Sequence, residues 1–344
     1  MPAITSGKVL VSGANGFIAA WVVRVLLEQG FSVRGTVRSA DKCAPLREIF
    51  ASYGDKFELV VVPDITQEGA FDEAVKGVDA IEHTASPFHL QVDDPDVRHD
   101  KPPACTEFIR PAIHGTLGIL QSAAKYGTSV KRVVITSSCA AVLQIQAEPR
   151  TFSELDWNEQ APREVTEMGR SAPAMTKYRA SKTLAERAAW DFVAKHKTEI
   201  GWDLIAINPP PQPTTPPTPA HLGTSARQFY TMLTQPSPSA TLGTGSCWID
   251  VRDLGRAHVL ALLREEAAGE RIILSAGPFV WQDWLDAAPD SPKFQKGVPG
   301  GGKDSVHLIR YDTAKAAHLL EMEYRTMEET ARDTVADWEA RGWL

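Results

Sequence analysis

Cysteine is scarce and scattered: the chain of 344 residues has four, Cys43, Cys105, Cys139 and Cys247, with no C-x-x-C pair among them. That spacing excludes a zinc knuckle and a disulfide framework, and a reducing, cytoplasmic setting is expected. Basic charge is not in excess, since 36 Lys and Arg stand against 43 Asp and Glu for a net charge of −7. No global positive field is present to hold a nucleic acid. Long apolar runs are missing too. The best, Ile18 to Leu27, contains Arg24, and a membrane span needs ~18 uninterrupted residues. Met1-Pro-Ala-Ile-Thr-Ser-Gly-Lys8 leads straight into an apolar run, so no secretory leader is expected. The nine histidines show no H-E-x-x-H or comparable spacing, so no metal site is expected. What remains, 43% hydrophobic and 23% charged, is an ordinary globular composition. The length fits one large domain or a large domain with a smaller appendage.

Short β-branched runs alternate with amphipathic stretches through the first two hundred residues. Strands are expected at Lys8–Ser12, Ser32–Val37, Phe57–Val62, Ala80–Thr84, Arg132–Thr136 and Asp203–Asn208, with helices at Phe17–Gln29, Pro45–Tyr53, Ala70–Val75, Ile109–Tyr126 and Tyr178–His196. This alternation predicts an α/β fold with a doubly wound parallel sheet. Past Asn208 the pattern breaks at Pro209, Pro210, Pro211, Pro213, Pro216, Pro217 and Pro219, which no regular ladder tolerates. An extended crossover is expected there, with a return to the sheet at Ser246–Val251 and a helix at Leu254–Arg264. Residues 1–208 with 242–266 then form the larger domain, and 209–241 with 267–344 a smaller, discontinuous C-terminal lobe. Pro289–Lys303, ending in three glycines, is expected to be a mobile loop before closing helices at Thr313–Glu321 and Met327–Glu339.

Directly after the first strand stands Gly13-Ala14-Asn15-Gly16-Phe17-Ile18-Ala19. A strand-to-helix turn needs positive φ at Gly13 and no side chain at Gly16, where backbone N–H groups meet a pyrophosphate. Following a strand and opening a helix, the spacing reads as a dinucleotide loop. An acidic residue at the end of the second strand would grip a ribose 2′-hydroxyl. Arg38 stands there instead, with Lys42 four residues on, and a guanidinium suits a 2′-phosphate. NADPH is therefore the expected cofactor. Asp64-Ile65, at the end of the third strand, is placed to meet the adenine, although a capping aspartate would look the same. Thr84-Ala85-Ser86 supplies small residues where the cofactor crosses the sheet edge.

Tyr178-Arg-Ala-Ser-Lys182 sets a tyrosine and a lysine one helical turn apart on one face. A tyrosine can protonate a developing alkoxide if its pKa falls toward neutrality. A cation about 4 Å away supplies ~4 kcal/mol at an effective dielectric of ~20, equivalent to roughly three pKa units. Thr136-Ser137-Ser138 closes the fifth strand at the carboxyl edge, where sites of this fold lie. Ser138 is the candidate to hold a carbonyl oxygen and Ser137 its rival. Cys139, with apolar neighbours and no paired histidine, reads as a small wall rather than a nucleophile.

Gly13-x-x-Gly16-x-x-Ala19, Ser138 and Tyr178-x-x-x-Lys182 together resemble the extended short-chain dehydrogenase/reductases, which have the Rossmann fold. His83-Thr-Ala-Ser-Pro-Phe88, Lys131-Arg-Val-Val-Ile-Thr-Ser-Ser138, Asn208-Pro-Pro210 and Trp248-Ile-Asp-Val-Arg-Asp253 are similar to the fungal carbonyl reductases. That branch holds the yeast methylglyoxal and isovaleraldehyde reductases and is related to the plant dihydroflavonol reductases. The resemblance implies hydride transfer from NADPH to an aldehyde or ketone. It implies Tyr178 as the acid, Lys182 lowering its pKa and orienting the nicotinamide ribose, Ser138 binding the carbonyl, and Arg38 reading the 2′-phosphate. Pro209 falls in the cofactor set. After Pro210 the chain departs from the family's aromatic and aliphatic run to a Gly-Pro, so substrate specificity does not carry over. Phe88, Cys139, Leu143, Tyr230 and Trp248 are the pocket candidates. A sugar-nucleotide epimerase or dehydratase and a non-catalytic NADP(H) sensor are the competing functions. Neither a nucleic-acid nor a membrane partner is expected, and the chain is a monomer or a homodimer.

Overall fold

A computed structural model describes residues 3–86, 105–212 and 224–344. The strands are β1 (Lys8–Ser12), β2 (Ser32–Val37), β3 (Phe57–Val61), β4 (Ala80–His83), β5 (Arg132–Thr136), β6 (Arg150–Phe152), β7 (Asp203–Asn208), β8 (Gly245–Trp248), β9 (Arg271–Ile273), β10 (Gly277–Val280) and β11 (Ile309–Tyr311). Seven of them form one parallel sheet in the order β3-β2-β1-β4-β5-β7-β9. Strand order reverses between β1 and β4, and such a switch point opens a crevice at the carboxyl ends of the two strands.

Successive strand residues alternate between two cores, as a period of two requires. Val9, Val11, Val134, Ile205 and Ile207 point into one; Leu10, Ile81, Val133, Ile135 and Leu204 point into the other. The first core is covered by α1 (Phe17–Glu28) and, from late in the chain, Leu254, Ala257 and Ala261 of a helix at Val251–Leu263. Between β2 and β3 lies α2 (Cys43–Ile49), followed by a 3-10 stretch broken at Gly54. The second core is covered by α3 (Cys105–Tyr126) and, beyond α4 (Gln160–Met168), by α5 (Ala174–Lys195).

A separate core gathers α6 (Thr224–Thr234), α7 (Ser239–Leu242), then, past α8 (Val251–Leu263), α9 (Trp281–Ala287), with α11 (Met327–Ala340) packed on it after α10 (Ala314–Leu320). Its centre is aromatic: Phe229, Trp284 and Trp338 are fully buried, and Phe229 lies edge-on to Trp284 at 4.8 Å.

Several expectations are corrected. Ala70–Val75 forms turns rather than a helix, because Gly69 and Gly77, both at positive φ, close it off at each end. The helix expected over Pro45–Tyr53 stops at Ile49. α5 starts at Ala174 behind Pro173, so Tyr178 stands in its second turn rather than at its opening. β8 does not return to the main sheet; it pairs antiparallel with β10, while β6 pairs with β11. The main-sheet edge beside β7 is taken instead by β9, which lies inside the stretch expected in the smaller lobe. Pro289–Lys303 is tied down by hydrogen bonds from Val298 N to Gln282 and from Gly300 N to Asp286.

Arg132, fully buried on β5, holds the sheet to α8. Its Nε and Nη2 donate to the two oxygens of Asp203 at 2.7 and 3.0 Å, and Nη1 donates to the carbonyls of Ala261, Leu262 and Arg264. The last carbonyls of a helix need donors, and the two N–H groups of Nη1 supply them while the rest of the planar fork holds Asp203. Arg132→Met is expected to lower stability by about 3–5 kcal/mol, the cost of breaking one side of a buried pair. Arg132→Lys restores only part of it. Urea unfolding midpoints of the three proteins check this.

Candidate active site

Gly13 follows β1 with φ +66°, and a Cβ there would come 3.2 Å from Cα and Cβ of Ala85. Both the backbone angle and the closeness of the loop after β4 require glycine. The turn is held from β2: Gly13 N donates to Thr36 Oγ1 at 3.1 Å and Ala14 N to Thr36 O at 2.8 Å. Gly16 is the N-cap of α1, contributes no side-chain cap, and would set a Cβ 3.1 Å from the Gly13 carbonyl. The first N–H groups of α1 are thus left for an anion.

These groups line a cavity of about 850 Å³ that runs across the switch point. Gly13, Asn15, Gly16, Phe17, Ile18, Arg38, Lys42, Asp64, Ile65, Thr84, Ala85 and Ser86 all border it, as the dinucleotide reading requires. Pro209 does not border it. Its carbonyl accepts the N–H of Cys139 at 3.0 Å, and the nearby Gln212 lines the cavity instead. Thr36, Ser39 and Thr66 are further lining residues that the motif alone did not mark. Asp64 is held as a turn former, with Oδ1 accepting from Thr66 N at 2.9 Å and Thr66 Oγ1 at 2.7 Å. Those bonds, and more weakly the charge of Arg38, hold its carboxyl below the ordinary aspartate value.

Beside this cavity the ends of β5 and β7 meet α5. Ser137 and Ser138 are separated by their partners: the Ser137 hydroxyl donates to the buried carboxylate of Glu186, whereas Ser138 shares a hydrogen bond with the Tyr178 hydroxyl. Ser138 Oγ also accepts from Ala140 N at 3.1 Å, which fixes its rotamer at the head of a 3-10 turn. Asn208, at the end of β7, donates to Ser138 O at 3.1 Å and to Glu186 Oε2 at 2.7 Å. Lys182 Nζ lies 3.4 Å from Ser86 Oγ, so the lysine reaches the cofactor cavity through a residue that lines it. Burial pushes its pKa down to about 8, against the charge of Glu186.

The expectation that Lys182 lowers the Tyr178 pKa is not met in this state of the protein. Burial comes first and raises the phenol above its ordinary value; the Ser138 hydrogen bond opposes it, and the Cys139 thiol adds to it. The reason is geometric, because the ammonium is turned to Ser86 while the phenol is turned to Ser138.

The pocket candidates divide. Cys139 and Leu143 sit together under the Ser138 turn with Phe152 and Ile273, and the Cys139 thiol donates to Asn208 O at 3.2 Å. Burial raises that thiol well above its usual value, so it is no nucleophile. Tyr230 is corrected to a core residue: its hydroxyl donates to Trp343 O at 2.7 Å and its ring packs on Trp338. Trp248 is likewise in the aromatic core, 4.9 Å from Trp284, and borders a separate cavity of about 220 Å³ with Phe279 and Trp281. On β8 its neighbour Cys247 points the other way and donates to Ile309 O at 3.4 Å. Phe88 lies outside the described residues.

A nucleotide-sized cavity at the switch point of a parallel sheet, linked through Ser86 to a lysine that shares its helix with Tyr178, defines a dinucleotide-dependent α/β protein. The comparisons agree. The model of the NAD dependent epimerase/dehydratase family matches residues 9–277, and the chain belongs to that family. It is 35% identical to the NADPH-dependent methylglyoxal reductase GRE2 of Saccharomyces cerevisiae, over 96% of this chain and 97% of that protein. It is also 35% identical to the ketoreductase azaE of Aspergillus niger, over 95% and 96%. The crystal structure of yeast methylglyoxal/isovaleraldehyde reductase Gre2 complexed with NADPH superposes with a TM-score of 0.83 at 32% identity, covering 98% of this chain and 100% of that one.

Because burial holds the Tyr178 proton, the cofactor-free protein is expected to show no ionisation of this phenol below pH 10, the ordinary tyrosine value. Tyrosinate absorbance of the wild type minus that of Tyr178→Phe, followed with rising pH, should stay flat to that point. A step near neutrality would show instead that the phenol is already activated without cofactor.

Proposed function

We propose that the protein is an NADPH-dependent carbonyl reductase that converts aldehydes or ketones to alcohols. The observation that carries this is the continuity of the site: the glycine cradle, Arg38 and Lys42 lie along one cavity, and Ser86 links that cavity to Lys182. The cradle fits the cofactor, since Gly13 and Gly16 line the cavity with backbone alone at the head of α1. Arg38 and Lys42 at the end of β2 would meet a 2′-phosphate, and the N-terminus of α1 the pyrophosphate. NADPH supplies the hydride when bound.

The chain supplies the proton and holds the carbonyl. Ser138 directs its hydroxyl to the carbonyl oxygen, in line with its pairing to Tyr178. Tyr178 stays protonated at neutral pH and donates to that oxygen as it becomes an alkoxide, which makes it the general acid. Lys182 places positive charge at the edge of the cofactor cavity, through Ser86. Cys139 and Leu143 form the apolar wall nearest the reacting oxygen. The small-molecule carbonyl is the partner, and residues 224–241 and 267–344 are assigned to its side of the cleft, apart from β9 and α10, which belong to the main sheet and its first core. Among the described residues no helix is long and apolar enough to cross a membrane. We place the enzyme in the cytoplasm, where the free thiols Cys43, Cys139 and Cys247 stay reduced.

Oxidation of NADPH against a panel of aldehydes, α-diketones, β-ketoesters and aryl ketones tests the assignment. Tyr178→Phe should lose about 10²–10⁴-fold in kcat, the usual contribution of a positioned acid. Silence of the wild type across the panel would return the choice to a sugar-nucleotide substrate or a sensor.

Arg38→Ala is expected to weaken NADPH binding by about tenfold to a hundredfold, the worth of a charge-assisted hydrogen bond of roughly 1.5–3 kcal/mol, while sparing NADH. Fluorescence titration with each cofactor checks it. Equal losses for both would mean that Arg38 is only surface charge.

A further inference from the structure

Beside Lys182 is a second and much smaller space of about 20 Å³, which shares Ala85 and Ser86 with the lining of the large cavity. Its polar lining comes from His83, Ser86, Thr116, Ser137, Lys182, Glu186 and Thr136, the last already paired with His258 Nε2 at 3.2 Å. His83 stands at the end of β4, only 3% exposed, and the hydrogen bonds around it determine which ring nitrogen carries its proton. Ser12 Oγ lies 2.9 Å from His83 Nδ1 and also accepts the N–H groups of Thr84 at 3.1 Å and Ala85 at 3.0 Å. A hydroxyl has two acceptor positions and one proton. Both acceptor positions are taken, so the Ser12 proton goes to Nδ1, and Nδ1 is unprotonated. Burial and the charge of Lys182 depress the ring's pKa to about 3, which keeps it neutral. The ring proton is therefore on Nε2. Phe71, edge-on at 6.0 Å, fixes the ring plane.

His83 Nε2 is buried and has no hydrogen-bond partner among the described residues. With Nδ1 turned to Ser12, the Nε2 edge is the one left for the small cavity. The other strong donor there is the Lys182 ammonium, and two donors cannot satisfy each other. Nor does Glu186 have room, since its carboxylate already accepts from Ser137, Asn208 and Arg271. What both donors need is one small acceptor. A cavity holds a water when it offers at least ~10–15 Å³ and two to four polar partners.

We propose that this cavity is a built site for a single water molecule, which accepts from His83 Nε2 and Lys182 Nζ and donates to the hydroxyls of Thr116 and Ser86. His83 is thereby a positioning residue for Lys182. It fixes the ammonium through the water, and Ser12 and the backbone of Thr84 and Ala85 fix His83. The same Ser12 hydroxyl so orients both the loop that lines the cofactor cavity and the lysine beside it. The kinetic consequence rests on the carbonyl-reductase reading of the site; the water and the tautomer do not.

The test has two independent parts. In the wild type, a high-resolution crystal structure is expected to show a water within hydrogen-bond distance of both nitrogens. ¹⁵N spectra of the ring should show His83 as the Nε2–H tautomer. Absence of that density, or a proton on Nδ1, overturns the proposal even if carbonyl reduction is confirmed. In kinetics, His83→Leu should lose about tenfold to a hundredfold in kcat, the scale of a ~1 Å misplacement, with KM for NADPH little changed. His83→Gln, which can accept from Ser12 and donate into the cavity, should recover most of the loss and the wild-type pH profile. Wild-type kcat in the leucine variant overturns the positioning role. If that variant does not fold, the wild-type density and spectra decide. If the wild type reduces no carbonyl, the functional reading fails and the water site is still judged on its own.

Discussion

One buried carboxylate organises the carboxyl edge of the sheet. Glu186 is 1% exposed, and an ion removed from water at that depth persists only if its oxygens are fully engaged. Its donors come from four places: Ser137 after β5, Asn208 ending β7, Arg271 on β9 and, at 3.4 Å, Trp190 on its own helix. Arg271 is itself stacked on Trp157, 3.7 Å from the ring centroid, and donates to the carbonyls of Glu154 and Asp156. The helix bearing Tyr178 and Lys182 is thus locked to three strand ends. The arrangement also separates two adjacent serines by role, because Ser137 is committed to Glu186 and Ser138 is left facing Tyr178.

How much of this was legible in the sequence follows from how local each feature is. The strands around Lys8–Ser12 and Arg132–Thr136 and the glycine turn at Gly13–Gly16 are specified within a few residues, and they stand where expected. The cofactor cavity was legible for the same reason, as each lining stretch follows directly on a strand. Tyr230 and Trp248 were not. Their partners, Trp343 and Trp284, are far away in sequence, and an aromatic residue looks alike whether it walls a pocket or fills a core. The edge strand Arg271–Ile273 was hidden because three residues carry no periodicity, and its pairing with β7 is enforced by Arg271 and Glu186, 85 positions apart. In the sequence Pro209 falls in the cofactor set beside the Asn208-Pro-Pro210 resemblance; only the fold shows that Gln212 lines the cavity instead.

The two titratable members of the proposed catalytic set, Tyr178 and Lys182, share one electrostatic condition with opposite effects on their protons. Burial favours neutral forms of both, so it retains the Tyr178 proton and loosens the one on Lys182. For a reductase this is a consistent resting state. The acid is loaded before the reaction starts, and its pKa has to fall only as negative charge grows on the carbonyl oxygen. An enzyme that worked mainly as an alcohol oxidase would need the reverse, a phenolate poised in advance.

The central claim is that a hydride passes to a carbonyl carbon at this site while a proton is delivered to its oxygen. The most direct measurement is turnover of an aldehyde with NADPH carrying deuterium at C4 of the nicotinamide, followed by analysis of the alcohol. The account predicts deuterium on the carbinol carbon and nowhere else, with the hydroxyl hydrogen drawn from solvent. An alcohol without that label when either C4 position is deuterated in turn, or cofactor that stays reduced while the substrate is altered, would contradict it.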